Sequence, residues 1–253
     1  MNLATGVLKT RTTHAARGRK SRLPFAIALV TGASGDIGQA ITNSLARCGA
    51  SVYALGRNRR RLTENAAEQD GRVHPLAADL TSRADIMAVR EKLGRAGQLD
   101  VLVIASGIYE RSRDADGLTR QFAANVRGPD MLLAALLPLL VRARGLIVFI
   151  NSRQGLSASR GVSHYAATQH ALRALADGLR EEVNEKGVRV TSVFLGRTAT
   201  TRQAAIFEME GRRYCPEKLI QPEDVAELVV NLAMLDRTTE ITDIMMRPSI
   251  KSY

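Results

Sequence analysis

Val30-Thr31-Gly32-Ala33-Ser34-Gly35-Asp36-Ile37-Gly38 carries three glycines at the spacing G-x-x-G-x-x-G. Ahead of it runs an apolar stretch, Phe25-Ala26-Ile27-Ala28-Leu29-Val30, and behind it Gln39 to Ala46 places its apolar residues at helical spacing. Strand, tight turn and helix in that order is the context in which a glycine motif carries information. Glycine lets the chain bend sharply and brings the backbone close to a ligand. Free N–H groups and the dipole at the start of the helix then favour a pyrophosphate. Thr31, Gly32, Ser34, Gly35, Ile37 and Gly38 are therefore the first candidate binding residues.

The rest of the chain alternates in the same way. Strands are expected at 50–56, 71–78, 100–104, 145–150, 188–194 and 240–246, with helices at 36–48, opening from the basic turn 57–61, and at 83–96, 118–142, 165–186 and 222–235. Strands alternating with helices imply a parallel sheet covered on both faces. The fold class is thus α/β, a single-domain Rossmann-type doubly wound parallel sheet of about seven strands, with ligands beyond the carboxyl ends of the strands. Residues 202–219 are polar, charged and irregular, and read as a mobile lid over the substrate pocket, with Phe207, Met209, Arg212, Arg213 and Tyr214 shaping it.

Composition sets outer limits. With 253 residues and 45% apolar content, the chain can bury a full core. The most apolar stretch, 131–141, is shorter than the ~20 residues of a membrane span and contains Pro138. Cys48 and Cys215 form no metal-ligand cluster and read as free thiols in a reducing, cytoplasmic compartment. Of the net charge of +11, six charges come from Lys9, Arg11, Arg17, Arg19, Lys20 and Arg22, in a stretch without a single acid. Residues 1–22 therefore divide off as a basic, disordered tail ahead of a dinucleotide-binding domain at 23–253. Without aromatics or a nucleic-acid-binding module, the tail reads as a solvated extension more readily than a polyanion-binding arm.

Cofactor choice is written at the end of the second strand. A carboxylate there would bind the free 2′-hydroxyl of NAD. This chain has Gly56 followed by Arg57, and a guanidinium suits a 2′-phosphate, so NADP(H) is preferred over NAD(H). Asp79 and Leu80 end the third strand, at the edge where an adenine would lie.

Taken together, these motifs resemble the short-chain dehydrogenases/reductases over nearly all of 25–248. Thr31-Gly32-x-x-Gly35-x-x-Gly38 is similar to their cofactor turn, with Asp36 where glycine is frequent. The resemblance implies that Asp79 contacts adenine and that Gly107 closes the stretch that reads Asn-Asn-Ala-Gly in the family, here with Ile104 and Ala105 for the asparagines. It also implies that Asn125 belongs to a proton relay and that Thr200 contacts the carboxamide end of the cofactor. Ser152 and Tyr165 stand thirteen residues apart, as the family's catalytic pair does. A homodimer or homotetramer is implied as well, through the apolar stripe 131–137 and the helix after Tyr165.

The departure is Gln169, four residues after Tyr165, where the family has lysine. One turn along the helix, an amide replaces an ammonium. Gln169 can still bond ribose hydroxyls, but it brings no charge to lower the tyrosine pKa. An unperturbed tyrosine is only ~0.1% phenolate at pH 7. Alcohol oxidation, which needs a base, is thus penalised more than carbonyl reduction, which needs the neutral acid. Two functions follow: an NADP(H)-dependent reductase of a ketone, aldehyde or imine, or a protein of the same fold that binds NADP(H) without ordinary hydride transfer. The second would be a cyclase, an eliminase or a binding subunit. His164, His170, Arg153 and Arg173, and Arg197 in the loop that should cover the nicotinamide, are the cations that could replace the lysine.

Overall fold

A computed structural model describes residues 23, 26–111, 114 and 116–250. The basic tail 1–22, and Phe25 of the first apolar run, lie outside the described residues.

Seven strands form one sheet: β1 (Ile27–Thr31), β2 (Ser51–Gly56), β3 (Val73–Ala77), β4 (Val101–Ile104), β5 (Leu146–Ser152), β6 (Arg189–Leu195) and β7 (Asp243–Met246). All pairings are parallel, in the order β3-β2-β1-β4-β5-β6-β7. Strand side chains alternate between the two faces, and both faces are apolar. Ala28, Val30, Val52, Ala54, Val101, Val103, Leu146 and Val148 enter one core. Leu29, Leu55, Leu102, Ile104, Ile147 and Phe149 enter the other. Helices α1 (Asp36–Arg47), α2 (Arg59–Ala67) and α8 (Pro222–Met234) close the first face with Ile41, Leu45, Leu62, Val225 and Val229. Helices α3 (Arg83–Gly94), α5 (Gly128–Ala143) and α6 (Ser163–Val183) close the second with Ile86, Val89, Leu132, Leu136 and Leu172.

Three expectations change. The helix expected at 118–142 is two helices, α4 (Gly117–Phe122) and α5, joined by a π-helical turn at Ala123–Arg127 centred on Asn125. Such turns bulge a helix to aim particular side chains. The continuous helical run Gly117–Ala143 has the length and apolar composition of a membrane span, but half of it is buried inside the protein. Its leucines from Leu132 to Leu140 are accounted for by the second core.

The segment read as irregular at 202–219 begins with a helix, α7 (Thr201–Met209). Thr200 caps it by accepting from the Gln203 N–H at 3.1 Å. The Asp36 carboxylate accepts from the Thr201 N–H at 2.7 Å. These partners satisfy backbone donors that a helix start leaves open. The last strand begins at Asp243 and not at 240, because Glu240 turns its side chain to accept from the Val190 N–H at 2.6 Å.

Candidate active site

Beyond the carboxyl ends of β1, β2, β4, β5 and β6 lies a cleft of about 1270 Å³. Its first end is the glycine turn. Gly32 has φ +69°, and a Cβ there would stand 2.7 Å from the Ala105 carbonyl oxygen. A Cβ on Gly38 would meet the Gly32 carbonyl at 2.3 Å. Those two glycines serve the protein's own packing. Gly35 differs, since a Cβ there would meet only the Gly32 carbonyl, at 3.4 Å, and the rest of its surroundings is cleft. The turn therefore leaves a cradle that one methyl group would begin to fill, at the N-terminus of α1. That geometry fits a pyrophosphate.

Thr31 stands behind this wall. It is fully buried, and its hydroxyl accepts from the Ala105 and Ser106 N–H groups at 3.0 and 3.1 Å and donates to Ser106 Oγ at 3.1 Å. It ties β1 to the end of β4 and does not face the cleft. Ser34, Ile37 and Gly38 do line it.

Near the ends of β2 and β3, Gly56, Arg57, Asp79 and Leu80 line the cleft together, joined by Arg61. A side chain at position 56 would press its Cβ to 2.8 Å from Ser34 Oγ, so the Ser34 hydroxyl would have to turn aside for one. The Thr81 N–H and hydroxyl both donate to Asp79 at 2.8 Å. The Thr81 backbone bond is the main reason the Asp79 carboxyl lies below the usual range, with the Arg57 guanidinium adding to it. Arg61 lies 3.7 Å from Asp36, so the variant residue of the glycine turn faces a cation on one side and α7 on the other.

The opposite end gathers Gly107, Ser152, Tyr165, Gln169 and Thr200. Asn151 orients the end of β5: its Oδ1 accepts from the Ser152 N–H at 2.6 Å, and its Nδ2 donates to the Gln169 carbonyl at 3.2 Å. Gly155 permits this contact, because a Cβ there would sit 2.9 Å from that same carbonyl. Ser152 Oγ accepts from the Gln154 N–H at 3.1 Å and keeps its proton to donate. Tyr165 lies in the first turn of α6 and lines the cleft with Ser152, with Tyr109 edge-on at 5.0 Å. Burial pushes the Tyr165 phenol above the ordinary tyrosine range, while Arg202 and Ser152 pull against that rise.

Asn125 is buried and does not line the cleft. Its Oδ1 accepts from the Ile108 N–H at 2.7 Å, and its Nδ2 donates to the Ile108 carbonyl and to Thr168 Oγ1 at 2.9 and 3.0 Å. Thr168 donates in turn to the Tyr165 carbonyl at 2.8 Å. One helical turn earlier, buried Gln121 accepts from the Glu110 N–H at 3.2 Å. Two buried amides thus clamp the loop that carries Tyr109, a residue that sequence patterning does not single out.

Gln169 is buried at 4% exposure and lines the cleft without charge. Of the cations named from the sequence, four are placed elsewhere or otherwise engaged, and Arg153 lines the cleft. His170 is exposed and turns Nδ1 to the Ala166 carbonyl, 2.9 Å away. Arg173 lies over the Phe194 ring and 3.6 Å from Asp177. Arg197 pairs with Glu210 at 2.8 Å and covers Phe207. His164 does not line the cleft, whereas Arg153 does. Arg202, on α7, lines it as well and donates to the Gly107 carbonyl at 2.7 Å.

A glycine turn, a serine–tyrosine pair and a parallel sheet carry the resemblance noted above, and a family model decides it. The model for short chain dehydrogenases matches residues 26–211. The chain belongs to the short-chain dehydrogenase/reductase family. An uncharacterized oxidoreductase from Staphylococcus epidermidis is 29% identical over 228 residues, covering 88% of this chain and 96% of the relative. A metagenomic short-chain oxidoreductase solved in complex with NADP superposes with a TM-score of 0.77 at 28% identity, over 90% of this chain and 99% of that one. The closed form of a serine dehydrogenase complexed with NADP+ gives 0.81 at 26% identity, over 90% and 96%. Its relatives of this family are described as oxidoreductases.

Proposed function

We propose that this chain is an NADP(H)-dependent reductase of the ketone, aldehyde or imine group of a small or biosynthetic-intermediate substrate. The observation that carries the reading is the meeting of Ser152 and Tyr165 at one end of a cleft whose other end is the glycine turn. The NADP-bound state of two structural relatives supports the choice of cofactor. So does Arg57, next to Gly56, which brings no carboxylate to the end of β2.

On this reading Gly32, Ser34, Gly35, Ile37 and Gly38 hold the pyrophosphate and Arg57 the 2′-phosphate. Asp79 and Leu80 flank the adenine, and Gly107, Gln169 and Thr200 the nicotinamide end. Thr31 and Asn125 support the walls from behind. Bound NADPH would supply the hydride. Ser152 Oγ–H donates to the substrate oxygen, and Tyr165 Oη gives that oxygen its proton. A phenol raised by burial is fully protonated at neutral pH, which suits an acid better than a base.

The direct test is NADPH consumption against a panel of carbonyl compounds, with the thermal midpoint read alongside. A midpoint unmoved by NADPH well above micromolar concentrations overturns the cofactor assignment. Binding without turnover favours the second function, cofactor binding without ordinary hydride transfer, which uncharged Gln169 supports. Arg57→Ala should weaken NADPH by roughly 10- to 100-fold, the range of a lost charge-assisted hydrogen bond, and leave NADH affinity unchanged. Fluorescence titration with both cofactors checks it. A homodimer or homotetramer is expected, since Leu118 and Phe122 leave an apolar edge on α4 exposed at 39% and 41%. Light scattering that finds a monomer would refute this.

A further inference from the structure

We propose that the carbonyl substrate carries an oxyanion, a carboxylate or a phosphate, bound by the arginines gathered around Ser152 and Tyr165. This rests on the reading of that pair as the substrate end of the cleft. Among the described residues, nine arginines line the cleft against four carboxylates. The acids are already engaged. Glu110 pairs with Arg120, and Glu210 with Arg197, both at 2.8 Å. Asp36 has Arg61 at 3.7 Å, and Asp79 accepts twice from Thr81 at 2.8 Å. Arg111, Arg153, Arg160 and Arg202 line the same cleft, and among the described residues none of them has a carboxylate within ion-pair distance.

Contacts between three segments bring these cations to the serine and tyrosine. Arg153 opens a short 3₁₀ turn that Ser152 caps, its Oγ accepting from the Gln154 N–H at 3.1 Å. Arg160 precedes Gly161, where a Cβ would stand 3.6 Å from Arg111 Nε. The loop after β4 therefore lies against the loop between β5 and α6. Tyr109, two residues before Arg111, meets the Tyr165 ring at 5.0 Å between centres. Arg202 joins from α7 by donating to the Gly107 carbonyl at 2.7 Å, at the start of the same β4 loop. The cofactor leaves these cations unused: its phosphates are assigned to the glycine turn and Arg57, and its nicotinamide end carries no anion. Cations without counter-charges in one concave site focus their field on a small anion. A guanidinium grips an oxyanion through two parallel hydrogen bonds and stays charged at every working pH. Arg153, beside Ser152, is the first contact assigned to the oxyanion, and Arg111 with Arg160 the second. The oxyanion is held in place and takes no part in the reaction.

The test is a binding titration on protein saturated with NADP+, which fills the cofactor's own phosphate sites and allows no reduction. Two matched pairs of ketones are titrated by calorimetry at constant ionic strength in a phosphate-free buffer. One pair is levulinate against levulinamide, the other dihydroxyacetone phosphate against dihydroxyacetone. In at least one pair the anion should bind about 10- to 100-fold tighter than its neutral partner, and that pair names the oxyanion. Arg153→Gln should cut this ratio by about tenfold, and the double variant Arg111→Gln, Arg160→Gln should cut it as well. Arg153→Lys should keep more of the ratio than Arg153→Gln. Raising potassium chloride should lower the wild-type ratio.

A ratio near one in both pairs, or no binding of either anion at millimolar concentrations, overturns the proposal. So does a ratio that neither arginine variant moves. Circular dichroism checks the fold of each variant. Should the variants fail to fold, the salt series on wild type decides, and a salt-insensitive ratio counts against the proposal. If the anions bind as expected but no carbonyl is reduced with NADPH, the reductase reading falls while the anion site stands. If NADP+ itself does not bind, the cofactor assignment falls, and the same ratios read on the cofactor-free protein decide the anion site.

Discussion

Tyr165→Phe is expected to lower carbonyl reduction by about 10²- to 10⁴-fold, the range of a lost general acid. The phenyl ring remains, so the edge-on contact with Tyr109 at 5.0 Å and the packing of the first turn of α6 should survive. NADPH affinity should therefore stay close to wild type, and the loss should appear in kcat. The pH profile follows from the raised phenol. Reduction needs the protonated form, so turnover by wild type holds through neutral pH and declines only as pH rises past the elevated pKa. Residual turnover by the phenylalanine variant should lack that decline. Stopped-flow decay of NADPH absorbance across pH measures both quantities. Undiminished turnover in the variant would remove Tyr165 from the chemistry.

Gly32→Ala is expected to destabilise the fold, and Gly35→Ala to spare it. At φ +69°, an L-residue at position 32 costs about 1–2 kcal/mol in backbone strain. Its Cβ would also stand 2.7 Å from the Ala105 carbonyl oxygen and 2.9 Å from Ser106 Cα, both backbone atoms that cannot rotate aside. Overpacking of that kind adds about 1–3 kcal/mol. The sum, about 2–5 kcal/mol, corresponds to a fall in Tm of roughly 5–20 °C for a domain of this size. Gly35 has an ordinary negative φ, and a Cβ there meets only the Gly32 carbonyl at 3.4 Å. Gly35→Ala should melt near wild type yet bind NADPH more weakly, because its methyl group enters the cleft. Calorimetry and cofactor titration of the two variants separate the roles. Equal stability losses would mean that the turn is packing alone.

Much of this architecture is legible in the residues themselves. Alternating apolar strands and amphipathic helices require no knowledge of distant partners, and the parallel sheet follows the expected order of elements. The turn at 32–38 is equally local, as is the thirteen-residue interval that brings Ser152 and Tyr165 to one end of the cleft. Helix α7 was not legible. Of its nine residues only Phe207 is buried, so no apolar stripe marks it, and its first donor is satisfied by Asp36, 165 residues earlier. Thr31 and Asn125 are legible as positions but not in orientation: both turn to neighbouring backbone and line no part of the cleft.

The glycine turn illustrates what the sequence alone determined. A chain that must reverse beneath a helix, with backbone pressed on backbone, admits glycine at Gly32 and Gly38, and that pattern can be read without coordinates. Which cations line the cleft could not be read in this way. The substitution at Gln169 was visible, and the candidates within a helical turn were visible, yet Arg202 arrives from a different helix. Its place depends on the Asp36 and Gly107 contacts that span the cleft. Local periodicity encodes elements through neighbours a few residues away. The field at a single hydroxyl depends on whatever the folded chain brings within a few ångströms, and only the tertiary structure decides that.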